Sequence, residues 1–136
     1  MKSGSVKRAR GTLVIVANPD PRIRLMLRAL LEGVVEEWVE SASSECVLPL
    51  VAELRPDWLV VGGFPLPWNP LALLVALEKD CPFVNIILLA EAGNSETRPE
   101  LPPTSSFRGW VGTDEILEVR RLILKGSKDR ISRNAV

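Results

Sequence analysis

The chain has 136 residues, 46% of them hydrophobic and 25% charged, and its 17 Lys and Arg balance its 17 Asp and Glu. That describes a single globular domain able to bury a sizeable core without staples, and it leaves no global field to attract nucleic acid or acidic substrates. His and Tyr are both absent, which removes His-based acid–base catalysis and His metal sites.

In chain order, Lys2, Lys7, Arg8 and Arg10 make residues 1–11 a basic stretch, read as a disordered, solvated tail. Thr12 to Ala17 is β-branched, apolar on both faces and bounded by turn formers, which predicts a fully buried strand. It is too short for a signal-peptide core and Asn18-Pro19-Asp20-Pro21 breaks it, while no apolar run is long enough to span a bilayer. A cytoplasmic location with no membrane partner is expected. Pro21 suits the first turn of a helix, and Ile23, Leu27, Leu30 and Leu31 recur at helical spacing, with Arg22, Arg24 and Arg28 left to solvent. Gly33 ends that helix. Val34 to Glu40 mixes apolar and acidic residues as an edge strand does.

Ser43 or Ser44 caps a second helix running to about Leu54, with Pro49 expected to kink or shorten it. Trp58 to Val61 is a third strand, and a Gly- and Pro-rich loop leads to a helix from about Asn69 to Lys79 carrying Leu71, Leu74, Val75 and Ala76. Val84 to Leu89 is a fourth strand and Trp110-Val111 a short fifth. Asp114 to Lys125 reads as the last helix, capped by Thr113 and stopped by Gly126, so the domain spans 12–126 and a flexible tail spans 127–136. Cys46 and Cys81 stand in no metal-like spacing and are expected to be buried, reduced thiols.

Buried strands alternating with amphipathic helices give a doubly wound α/β fold, a parallel sheet with helices on both faces. Ligands of such sheets bind outside the carboxyl ends of the strands. Here those ends are Asn18-Pro19, Gly62-Gly63, Ala90-Glu91 and Gly112-Thr113.

Asn18-Pro19-Asp20-Pro21-Arg22-Ile23-Arg24 with Leu27-Arg28-Ala29-Leu30-Leu31-Glu32, then Leu54-Arg55-Pro56-Asp57 before a strand, then Gly109-Trp110-Val111, follow one another in a distinctive order. In that order and spacing the chain resembles the receiver domains of two-component response regulators, over about Thr12 to Lys125. The resemblance implies a five-stranded, flavodoxin-like sheet of order 2-1-3-4-5. It also implies a pocket with a nucleophilic aspartate, an acidic pair that helps hold Mg²⁺, a Thr or Ser, and a phosphate-binding lysine.

Carried over residue by residue, the acidic pair falls on Asn18 and Pro19, the nucleophile on Gly62, the hydroxyl on Ala90 and the lysine on Thr113. None keeps the chemistry required. Asp20 offers one carboxylate, a poor Mg²⁺ site without a partner. The fourth helix of the family is replaced by a segment from Glu91 to Arg108 holding Pro99, Pro102 and Pro103, which predicts a loop or at most one turn of helix.

The resulting expectation is a pseudo-receiver with a vestigial pocket at Asn18, Pro19, Asp20, Gly62, Ala90 and Thr113, no cofactor, no bound metal and no enzymatic activity. It would act in signal transduction by binding a protein partner, with a homodimer as one form, through Trp68, Trp110 and the Val119, Arg120 and Ile123 face of the last helix. The alternative is a small-molecule sensor in which Asn18, Thr113 and the Gly62-Gly63 amides hold a ligand. Asp57 reads as a turn cap, and Trp58 as core.

Overall fold

All five residues from Leu13 to Ala17 are buried, because this strand lies inside the sheet with a helical layer on each face. The computed structural model describes residues 12–65, 67–91 and 106–134. The strands are β1 (Leu13–Ala17), β2 (Glu37–Ser41), β3 (Trp58–Gly62), β4 (Asn85–Ala90) and β5 (Phe107–Gly112). They pair in parallel in the order β2-β1-β3-β4-β5. The helices are α1 (Pro21–Leu31), α2 (Val47–Leu54), α3 (Pro70–Asp80) and α4 (Leu117–Asn134), with a 3₁₀ turn at Ser44–Cys46.

Strand alternation sorts the core into two layers. Ile15, Ala17, Leu59, Val61, Ile86 and Leu88 meet Val47 and Val51 of α2 and Leu73, Leu74 and Leu77 of α3. Val14, Val16, Trp58, Val60, Ile87 and Leu89 meet Leu27 and Leu31 of α1 and Val119 and Ile123 of α4. The expected architecture and strand order are therefore present.

Several local expectations are corrected. Gly33, at φ 84°, turns the chain so that the Val34 and Val35 amides bond back to the Leu31 carbonyl (2.9 and 3.1 Å), and β2 starts only at Glu37. Pro49 breaks nothing. Ser43 caps the 3₁₀ turn, which delays α2 to Val47 and leaves Pro49 in its first turn, where a missing N–H costs no helical bond. The inward face of α3 is Leu73, Leu74 and Leu77, and Leu71 and Val75 are exposed.

The fifth strand has six residues, with Arg108 as an extra residue between the Ile86–Phe107 and Ile87–Gly109 pairs and its guanidinium bonded to Asn85 (2.8 Å). Asp57 is no turn cap: its carboxylate accepts the Leu13 amide at 2.8 Å while its own amide donates to the Leu13 carbonyl at 2.9 Å, tying β3 to β1 where both begin. Cys81 is buried, but Cys46 is exposed.

The last helix starts at Leu117, because the Thr113 amide bonds to Ala90 (2.8 Å) and the Glu115 amide to Gly112 (2.8 Å) in a turn that precedes it. It then passes Gly126 and continues to Asn134, so Gly126 is no stop. A Cβ at Gly126 would lie 2.6 Å from the Trp58 ring, so glycine is there to let the helix rest on that indole. Residues 1–11 and 92–105, which include most of the segment expected to replace a fourth helix, lie outside the described residues. Among the described residues no helix is long and apolar enough to cross a membrane.

Candidate functional site

Neighbouring connections leave β1 toward opposite edges of the sheet, so a crevice is expected where β1 and β3 end. Asn18 fills it. The residue is 2% exposed, and both ends of its side chain are engaged: Nδ2 donates to the Gly62 carbonyl and Oδ1 accepts the Asp20 amide, each at 2.8 Å. Its backbone is engaged too, the amide donating to Ser41 (3.0 Å) and the carbonyl accepting Arg24 Nη1 (2.7 Å). A buried amide satisfied at every one of these atoms is a structural plug.

The two glycines are explained by what they touch. A Cβ on Gly62 would sit 2.2 Å from the Leu89 carbonyl oxygen on β4, a separation no real Cβ tolerates. A Cβ on Gly63, at φ +83°, would sit 2.6 Å from Asn18 Nδ2. The pair therefore lets β3 press against β4 and lets the Asn18 amide lie across the strand end. Close packing accounts for both without a phosphate.

Asp20 is the N-cap of α1. Its Oδ1 accepts the Arg22 amide at 2.9 Å, and Arg22 Nε and Nη2 grip the same carboxylate at 3.2 and 3.1 Å. Those hydrogen bonds from Arg22 hold its carboxyl below the usual aspartate value. Pro19 is exposed, Ala90 contributes a buried methyl, and half-buried Thr113 turns the chain back onto Ala90.

Sequence reasoning missed Arg24, expecting it in solvent. Its side chain is only 16% exposed, with Nε on Glu40 Oε1 at 2.8 Å and Nη1 on the Asn18 carbonyl. Glu40 Oε2 accepts the Trp38 indole N–H at 2.9 Å. The indole, then Arg24, hold the Glu40 carboxyl below its usual value. A fixed guanidinium thus stands where β1 and β2 end. The only sequence cue was an acidic residue closing a strand, which is visible once the strand register is known.

Mg²⁺, which the resemblance implies, does not fit these residues. It needs several hard oxygens at once. Here the Asn18 side-chain oxygen and backbone carbonyl are taken by the protein, Asp20 is held by Arg22, and Arg24 adds charge of the same sign. Among the described residues no cluster of three or more Cys, Asp or Glu is arranged to hold a metal ion.

The expected interaction surface is only partly a surface. Val119 and Ile123 are fully buried against the sheet and cannot meet a partner, since the periodicity that marked them is that of the core face. Trp68 and Trp110 are half-buried on the α2–α3 side, each with an edge-to-face neighbour, Phe64 at 5.6 Å and Phe107 at 6.4 Å. Arg120 is exposed. The apolar side chains that do reach solvent nearby are Leu25, Met26, Leu117 and Leu124.

No family model matches the chain, and no curated protein matches it significantly. Solved structures do. The signal receiver domain of an HD domain-containing protein from Pseudomonas fluorescens Pf-5 superposes with a TM-score of 0.69 at 16% identity, over 91% of this chain and 94% of that one. The REC domain of AraT, a response regulator from Geobacillus stearothermophilus, gives 0.64 at 17% identity over 88% and 98%. The chemotaxis response regulator CheY4 of Vibrio cholerae gives 0.64 at 15% identity over 82% and 98%. The chain has the receiver fold.

Proposed function

We propose that this chain is a pseudo-receiver, a domain of a signalling pathway that acts by binding another protein and takes up no phosphoryl group. The receiver fold of its structural neighbours supports the signalling role. The observation that carries the finer reading is Gly62: it stands where the resemblance puts the nucleophile, and the β4 backbone occupies the space a side chain would need. Asn18 and Arg24 support it further, because their hydrogen bonds close the strand ends from within. The proposal includes that the chain is no enzyme, needs no cofactor and works in the cytoplasm.

The small-molecule-sensor reading loses one of its supports at Asn18. Asn18 was one of its ligand-binding groups, beside Thr113 and the Gly62-Gly63 amides, and its side-chain amide is spent on Gly62 and Asp20. The test is intact-mass spectrometry after incubation with a small phosphodonor and Mg²⁺, alongside a thermal-shift screen of nucleotides and metabolites. No phosphoryl adduct and no ligand-induced shift are expected. An acid-stable or acyl phosphate on any residue would contradict the reading, and a saturable ligand shift would restore the sensor.

A further inference from the structure

The two edges of the sheet are not alike. β5 is blunted by its bulge, which puts the exposed cation Arg108 into that edge as an extra residue. β2 carries no such device. Its register with β1 runs unbroken from Glu37 to Ser41, and it contains no Pro, Lys or Gly. Among the described residues no strand lies on its outer side.

Ladder geometry fixes what that side offers. The Glu37 amide donates to the Thr12 carbonyl and the Ser41 carbonyl accepts the Asn18 amide, both at 3.0 Å, so these residues turn their backbone toward β1. In a parallel ladder alternate residues do so, which leaves the amides and carbonyls of Trp38 and Glu40 pointing outward. An edge with unspent donors and acceptors and nothing to blunt it is a template for another strand.

Charge selects both the strand and its register. A two-fold axis joins two β2 edges antiparallel, with outward residues opposite outward residues. Setting Trp38 against Trp38 brings Glu40 against Glu36 of the second copy, and setting Glu40 against Glu40 opposes two acids directly. Centring the pair on Val39 instead places Trp38 opposite Glu40 and Glu37 opposite Ser41, so no acid faces an acid. Glu40 is also no deterrent to an aromatic neighbour. Its carboxylate is held by Arg24 Nε at 2.8 Å and by the Trp38 indole at 2.9 Å, and Arg28 Nη1 stands 3.9 Å away, so the incoming indole meets guanidinium groups beside it. Trp38 is half-buried and walls a cleft of about 220 Å³ with Arg28, Leu31, Glu32 and Val35, which leaves room next to its ring.

We infer that β2 pairs with β2 of a second copy of this chain, antiparallel about Val39, and so joins two five-stranded sheets into one. Main-chain hydrogen bonds at Trp38 and Glu40 hold the edges together, and the Trp38–Glu40 pairs on the α1 side set the register.

Sedimentation of the full chain at rising concentration reads the dimer, and hydrogen exchange of single amides reads the edge. A reversible dimer is expected, with the Trp38 and Glu40 amides protected in proportion to it. Trp38→Glu puts an acid opposite Glu40 and should raise the dissociation constant about tenfold or more. Trp38→Lys loses the same indole but puts a cation there, and should dimerise about tenfold more tightly than Trp38→Glu. Both variants give up the same packing, so the difference between them reports the pairing and not the fold. Val39→Cys with Cys46→Ser gives an independent reading, because the two copies of residue 39 would face each other with Cα atoms ~4.5 Å apart. Mild oxidation should link them by a disulfide, whereas Glu36→Cys with Cys46→Ser should stay unlinked. A monomer throughout, a dimer whose Trp38 and Glu40 amides exchange freely, equal effects of Trp38→Glu and Trp38→Lys, or no disulfide through position 39 would each overturn the inference. None of these outcomes bears on phosphoryl uptake, which the phosphodonor assay reads separately.

Discussion

Gly62 is where the absence of a side chain has a structural consequence as well as a chemical one. Its backbone lies so close to Leu89 that even a methyl group would meet the carbonyl oxygen at 2.2 Å. Gly62→Ala should therefore destabilise the fold by about 2–4 kcal/mol, through strain and forced separation of β3 from β4. Gly62→Asp should do the same and should not create a phosphorylatable site; chemical denaturation and intact mass check the two halves. Asn18→Ala strands the Gly62 carbonyl and the Asp20 amide, and a loss of about 1–3 kcal/mol is expected in the same denaturation assay.

Arg24 and Glu40 link residue chemistry to pH. Glu40 has its carboxyl lowered from the ordinary 4.5, so its contribution is fully present above that value and disappears as pH falls through the lower folded value. Glu40 is partly solvated, which limits the effect to about 1 kcal/mol or less. Glu40→Gln should remove that part of the acid-side slope of stability while leaving the neutral-pH fold intact, as followed by thermal melts across acidic pH.

At the scale of elements, the strands and helices were legible because their signals are local. Thr12 to Ala17 and Trp58 to Val61 are apolar on both faces, and Pro21 and Asn69 mark helix starts that the structure keeps, with Asn69 Oδ1 accepting the Leu71 amide at 2.9 Å. What was not legible depends on contacts distant in sequence. Gly126 reads as a helix stop until Trp58, far earlier in the chain, is seen beneath it. Val119 and Ile123 read equally well as a surface stripe or a core stripe, because helical periodicity does not say which side the sheet is on.

Gly126→Ala makes that dependence measurable. Alanine should gain ~1 kcal/mol of helix propensity at an exposed site, yet here it drives a methyl into a buried indole. A net loss of about 1–2 kcal/mol is expected, and in a Trp58→Leu background the same substitution should become neutral or stabilising. A stabilising Gly126→Ala in the unmodified chain would mean the helix does not rest on Trp58.

For the whole molecule, the α/β sheet delivers five strand ends to one edge, the usual place for a site on this architecture. Here that edge is closed by Asn18, by the glycine pair and by Arg24, and exposed apolar residues lie on all four helices, such as Leu25 on α1, Leu48 on α2, Val75 on α3 and Leu117 on α4. Part of what stands at the strand ends was readable from residue identities alone, at Gly62, Ala90 and Thr113. The plug itself was not, since Asn18 acts through partners from β3, β2 and α1 that only the folded chain assembles.

The most direct measurement is an amide ¹H–¹⁵N spectrum of the chain titrated with Mg²⁺ and then with Mg²⁺ plus a phosphodonor. The account predicts no saturable shifts at Asn18, Asp20, Gly62, Ala90 or Thr113 in either step. Saturable shifts clustered on those residues, in either titration, would show an open and working pocket and would contradict it.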